Sequence, residues 1–135
     1  MTFTSFVAGC VVVQPEPYPG PVVYDLNEAA TMKEIDAAMA QDFESSRVSA
    51  LDSIARRTGI SPQAQARIAR AAVSLNFESS RSQILMALIH NPDFSPHAKN
   101  VILDNLGRLE FESSRQQILQ ALDARGSLRP YATPA

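Results

Sequence analysis

Residues that could do chemistry recur in this chain as one pentapeptide, Phe-Glu-Ser-Ser-Arg, which begins at Phe43, at Phe77 and again at Phe111. Each copy sets a carboxylate, two hydroxyls and a guanidinium within five positions, pairing Glu44 with Arg47, Glu78 with Arg81 and Glu112 with Arg115. Glu and Arg three apart on a helix attract each other by a few tenths of a kcal/mol. Repeated at a constant step, these six side chains form a candidate binding ladder along one edge, offered to an extended partner. The competing reading is structural, with the pairs and the Arg stems covering apolar surface between repeats. A serine nucleophile needs a base and an oxyanion partner. Here the serines stand where helical patterns begin, and capping accounts for them. His90 and His97 flank one inter-helix loop with no third metal ligand nearby. There is no glycine-rich phosphate loop, no divided acid pair and no Cys-His pair. The inventory points to a non-enzyme with no cofactor, no metal and no small-molecule substrate.

The balance of 12 Lys+Arg against 14 Asp+Glu leaves a formal charge of -2, so no basic field exists to gather nucleic acid phosphates. One stretch nevertheless reads as a helix-turn-helix. Residues 51–70 offer a turn glycine, Gly59, followed by a helix carrying Gln63, Gln65 and Arg67. This is the rival functional reading, a DNA-binding protein. The same register in the next unit, Asn91-Pro92-Asp93-Phe94, keeps the hairpin but discards the glycine and the basic residues.

Cys10 is the only cysteine, which excludes an internal disulfide. Its surroundings, Thr4-Ser5-Phe6-Val7-Ala8-Gly9-Cys10, resemble the lipobox of bacterial lipoproteins, where small residues precede a cysteine that is cut free and acylated. The resemblance implies lipidation at Cys10 and a membrane-anchored address in the bacterial cell envelope, facing periplasm or exterior. The alternative is a cytoplasmic protein whose N-terminal segment carries a free thiol. Pro15, Pro17, Pro19, Gly20 and Pro21 follow, a composition expected of an extended tether. The domain organisation expected is therefore 1–26 tether, 27–126 helical repeat domain and 127–135 disordered tail.

The elements that must carry the pentapeptide follow from its period of 34 residues. Superposing Phe43 on Phe77 also aligns Leu51 with Leu85, Ser61-Pro62 with Ser95-Pro96, Ile68 with Ile102 and Leu75 with Leu109, without a gap. A third copy opens at Phe111 and matches again at Leu119 and Leu122. Phe43, Arg47, Ala50, Leu51 and Ile54 share one helical stripe, repeated by Phe77, Ile84, Leu85 and Leu88. The second helix of each unit starts at Ser-Pro, with serine as cap and proline at the first position, where its missing amide costs nothing. Its stripe is Ala64, Ile68, Ala71, Ala72 and Leu75, answered by Ala98, Val101, Ile102, Asn105 and Leu109. The double serines are expected to cap the first helices, Ser80 with Gln83 and Ser114 with Gln117 as capping boxes. Asn27 is expected to cap a leading helix. Six helices are predicted, over roughly 28–40, 45–57, 62–74, 79–90, 96–107 and 113–125.

The fold class expected is all-α, a short α-solenoid of stacked antiparallel helical hairpins. The period equals that of tetratricopeptide repeats, although the Trp, Gly and Tyr of that consensus are absent. Doubled serine, Leu-rich helix and Ser-Pro helix together resemble short helical repeats of bacterial envelope proteins, and a bacterial domain of unknown function rich in Phe-Asp/Glu-Ser-x-Arg segments. That resemblance spans 28–125 and implies a protein-interaction or structural module with a protein partner.

Overall fold

A computed structural model describes residues 19–127, with side chains from 27 to 126. The described residues form six α-helices and no strand. They are α1 Pro19–Met39, α2 Glu44–Ala55, α3 Pro62–Val73, α4 Glu78–Ile89, α5 Pro96–Asp104 and α6 Glu112–Ser127, with a 3-10 turn at Leu106–Arg108. Helices α1, α3 and α5 pack in sequence along one row, and α2, α4 and α6 along the other. α1 takes the place of the second helix of a preceding unit: it packs on both α2 and α3 and buries Ile35 and Ala38.

Leu51, Ile68, Leu75, Ile84, Leu85, Leu88, Ile102, Leu109 and Ile118 are all at most 1% exposed. They form a single core with Ala64, Ala72 and Ala98. Alanines at these contacts let the second helices approach closely, so the stack is held by continuous apolar burial from unit to unit. Ser61 and Ser95 cap α3 and α5, each hydroxyl accepting from the amide three residues on, Ala64 or Ala98, at 3.1 Å. Pro62 and Pro96 follow at the first helical position.

Several local expectations require correction. α1 begins at Pro19, well before residue 28, and so runs into the stretch read as tether. Its prolines fall in the first turn, where backbone amides have no intrahelical acceptor and proline is tolerated. Asn27 consequently lies inside α1, where its carbonyl accepts from the Thr31 hydroxyl at 3.1 Å. The double serines do not start the first helices either. Phe43 and Phe77 are the N-cap residues, without any side-chain cap, and the serines lie within the first turn. The expected capping boxes at Ser80 and Ser114 therefore stand three residues past the helix starts, Phe77 and Phe111, that would need them. α5 stops at Asp104, because Asn105 turns its amide back to the Val101 carbonyl at 2.8 Å and a 3-10 turn follows. α6 runs on to Ser127. Cys10, the remainder of the proposed tether and the tail from residue 128 lie outside the described residues.

The largest surprise concerns the phenylalanines. Phe43, Phe77 and Phe111 are 72%, 61% and 58% exposed, so they leave the buried stripe to Leu and Ile. Phe43 and Phe77 are N-cap residues with extended backbone, outside the helical periodicity on which the stripe was counted, and the stripe proper begins a turn later. Leu119 is also 41% exposed, in contrast to Leu51 and Leu85. Urea denaturation separates these roles: Leu85→Ala is expected to cost about 2–5 kcal/mol, as for a buried Leu leaving a cavity. Phe77→Ala is expected to stay within about 0.5 kcal/mol, as for a surface substitution.

Candidate functional site

The first turn of each first helix is where the repeated pentapeptide acts. A helix start leaves backbone amides unpaired, and in this fold a carboxylate from the preceding unit takes up two just before α4 and two just before α6. Glu44 accepts from the amides of Asn76 and Phe77 at 3.2 and 3.0 Å. Glu78 accepts from those of Glu110 and Phe111 at 3.0 and 3.1 Å. Each carboxylate thus spans one full repeat and lies against the positive end of the next helix. Burial alone would raise the Glu78 carboxyl, but the amides of Glu110 and Phe111, the Ser114 hydroxyl and Arg81 together hold it below its ordinary value of 4.5. Glu44 is lowered in the same way: burial opposes it, and Phe77, Asn76, Ser80 and Arg47 overcome that burial.

The arginines reach backward. Arg47 donates to the Gln41 carbonyl at 2.7 Å, Arg81 to Leu75 at 2.6 Å and Arg115 to Leu109 at 2.5 Å. Each therefore pins the chain leaving the previous second helix to the first helix it enters. Arg81 also meets Glu78 at 3.4 Å and the Arg108 carbonyl at 3.3 Å. Of the candidate ladder, Glu44, Glu78 and the three arginines hold backbone within the chain. Glu112 is exposed, and its carboxylate meets no donor among the described residues.

At the opposite end of the first helices a second set of ties recurs in register. Asn91 donates to the carbonyls of Ala55 and Arg57, both at 2.7 Å. One period later, Arg125 donates to Ile89 at 3.2 Å and Pro92 at 2.9 Å. Gln65, 1% exposed, bridges two loops, donating to the Ile60 and Asp93 carbonyls at 2.9 and 2.8 Å and accepting from the Ser95 amide at 2.9 Å. Gly59, the turn glycine, has φ of 78°, and its amide donates to Asp93 at 2.7 Å. Sequence reasoning missed Gln65 and Asn91 as ties. The only signal available was their place beside the loop in a pattern otherwise apolar.

The helix-turn-helix reading depended on Gln63, Gln65 and Arg67. Gln65 is buried in the loop bridge, Arg67 pairs with Asp36, and Arg57 pairs with Glu34. His90 turns its ring back to the Met86 carbonyl at 2.9 Å, and His97 is exposed. Among the described residues no group of three or more His, Cys, Asp or Glu could hold a metal ion.

What the arrangement leaves facing outward is the row Phe43, Phe77 and Phe111. The backbone of Phe77 and of Phe111 is gripped by the Glu of the unit before. Packed helices lie about 8–10 Å apart, so consecutive rings are spaced on that order. No family model, no curated protein and no solved structure matches the chain.

The clamps predict an acid-sensitive fold. With the folded carboxyl value below the unfolded one, their stabilisation is complete above pH 4.5 and is lost as pH falls through the lowered folded value. Wild type followed by circular dichroism should lose stability in that acid range, and the double variant Glu44→Gln, Glu78→Gln should lose less across it. Glu78→Ala is expected to cost about 1.5–3 kcal/mol at neutral pH, the range for hydrogen bonds to a charged group. A cost near zero would remove the clamp's structural role.

Proposed function

We propose that the chain is a non-catalytic protein-interaction module whose binding edge is the row Phe43, Phe77 and Phe111. The observation that carries this reading is the exposure of three phenylalanines, 58–72%, in one register of a repeat array. Large apolar rings left in water at a regular step mark contact surface. Aromatic side chains held on rigid backbone lose little freedom on binding and make strong anchors. The partner suited to such a row is a protein presenting apolar side chains at a matching step, with polar groups to meet the exposed serines beside each ring, Ser45, Ser79 and Ser113. DNA recognition finds less support, since Gln65 is buried and the net charge is negative.

The address we propose is the bacterial envelope, through acylation of Cys10, on the strength of the lipobox-like run Thr4 to Cys10. No described helix is long and apolar enough to cross a membrane, so a covalent lipid would supply the attachment. Labelling of cells with an alkyne fatty acid should tag the wild-type chain and leave Cys10→Ser untagged. Equal labelling of both would end the lipoprotein reading.

The binding edge is tested by photo-crosslinking in cells. A benzophenone amino acid at position 77 should capture a defined protein, and the same probe at exposed Gln63, on a second helix, should not. The triple variant Phe43→Ser, Phe77→Ser, Phe111→Ser should keep the wild-type thermal midpoint and lose the captured protein. Retention of capture by the triple variant would place binding elsewhere.

A further inference from the structure

The contact between consecutive units recurs twice inside the chain, and its two halves stand open at opposite ends of the described stack. At one end is the Glu112 carboxylate, in the register where Glu44 and Glu78 each accept two amides from the next unit. At the other are the amides of Asp42 and Phe43, in the register of Asn76–Phe77 and Glu110–Phe111, which meet no acceptor among the described residues. The apolar positions match this pattern. Leu51 and Leu85 are fully buried, yet Leu119, their equivalent, is 41% exposed. Ile35 and Ala69 are each 1% exposed, and Leu103 in the same register is 40% exposed. The opposite end offers room for such side chains. A shallow groove runs along the outer side of α2, lined by Gln41, Ser46, Ser49, Ala50 and Ser53. Ala50 and Ser53 stand where the inner units carry Ile84 and Ala87.

We propose that a second copy of this chain docks head to tail on the first, continuing the stack. The Glu112 carboxylate of one protomer accepts the amides of the partner's Asp42 and the partner's Phe43, and its Leu119 lies along the outer side of the partner's α2. A second copy is the occupant because the open halves complement each other and repeat an interface the fold already builds twice. The contact joins two different surfaces, so it is heterologous and leaves one half open after each addition. Gln116, Asn100 and Ser53 put polar side chains on these faces, at positions where other units carry Val48, Ala66 and Ala87. The association therefore falls in the weak, reversible class. It uses the ends of the stack and leaves the phenylalanine edge free, so it stands whether or not that edge binds a partner.

The test is sedimentation velocity of the full chain from micromolar to near-millimolar concentration, in reductant so that Cys10 forms no disulfide. Wild type should show a mean mass that climbs with concentration, and Glu112→Ala should weaken association about tenfold or more, as expected for losing charge-assisted bonds. Leu119→Asp should leave one end dead and Ala50→Glu the other, with each variant monomeric alone and folded by circular dichroism. Mixed together they should form a one-to-one dimer and nothing larger, through the intact end of each. A wild type that stays monomeric throughout, a Glu112→Ala chain that associates like wild type, or a mixture that fails to pair would each overturn the proposal.

Discussion

A carboxylate in one unit grips the peptide backbone of the next, and the regularity of the stack follows from that bond. The amides taken by Glu44 and Glu78 lie just outside the helix that follows, where no intrahelical acceptor exists and bulk water would otherwise serve. Because the acceptor meets backbone, the bond is indifferent to the side chain at the receiving position. Asn76 occupies it in one unit and Glu110 in the next. A pentapeptide can therefore recur unchanged while the residues around it vary. The cost of burying two carboxylates is offset because each makes two charge-assisted bonds beside a helix N-terminus.

The rest of the wiring serves the same end. The Arg of each pentapeptide ties the incoming chain to the helix it enters, while Asn91 and Arg125 tie the outgoing end of the preceding first helix. Gln65 closes the second loop layer from inside. Polar groups thus fix both ends of α2 and α4 and the start of α6, and aliphatic side chains fill the space between them. The division places most Leu and Ile within and the three pentapeptide Phe without. The backbone under Phe77 and Phe111 is clamped, so a contact made there would have chiefly side-chain freedom to lose.

Much of this was legible from residues alone. The 34-residue period placed six helices and both Ser-Pro starts, and most of the aliphatic stripes proved buried. The candidate site was only half legible. Glu and Arg were recognised as a recurring pair, with a structural role between repeats weighed against a ladder, but their targets are backbone atoms a full repeat or six residues away, invisible to pattern reading. The phenylalanines were placed inside because hydrophobicity and spacing both argued for it. The helix begins one residue later than they stand, and a single residue at a helix start is enough to turn a side chain from core to water. On sequence Gln65 stands with Gln63 and Arg67 only as a candidate DNA-reading side chain, since nothing in a lone polar residue reveals the three backbone groups that surround it.

The order of residues by itself determined the helical class, the repeat length and the hairpin boundaries. Those depend on propensity, capping chemistry and periodicity, which act within a few residues of chain. Burial was decided by the tertiary structure. Leu51, Leu85 and Leu119 share one register and nearly one local sequence, yet two are sealed and the third meets solvent. What covers a side chain in a stack is the neighbouring unit, and whether a neighbour is present is a property of the assembled chain that no local pattern contains.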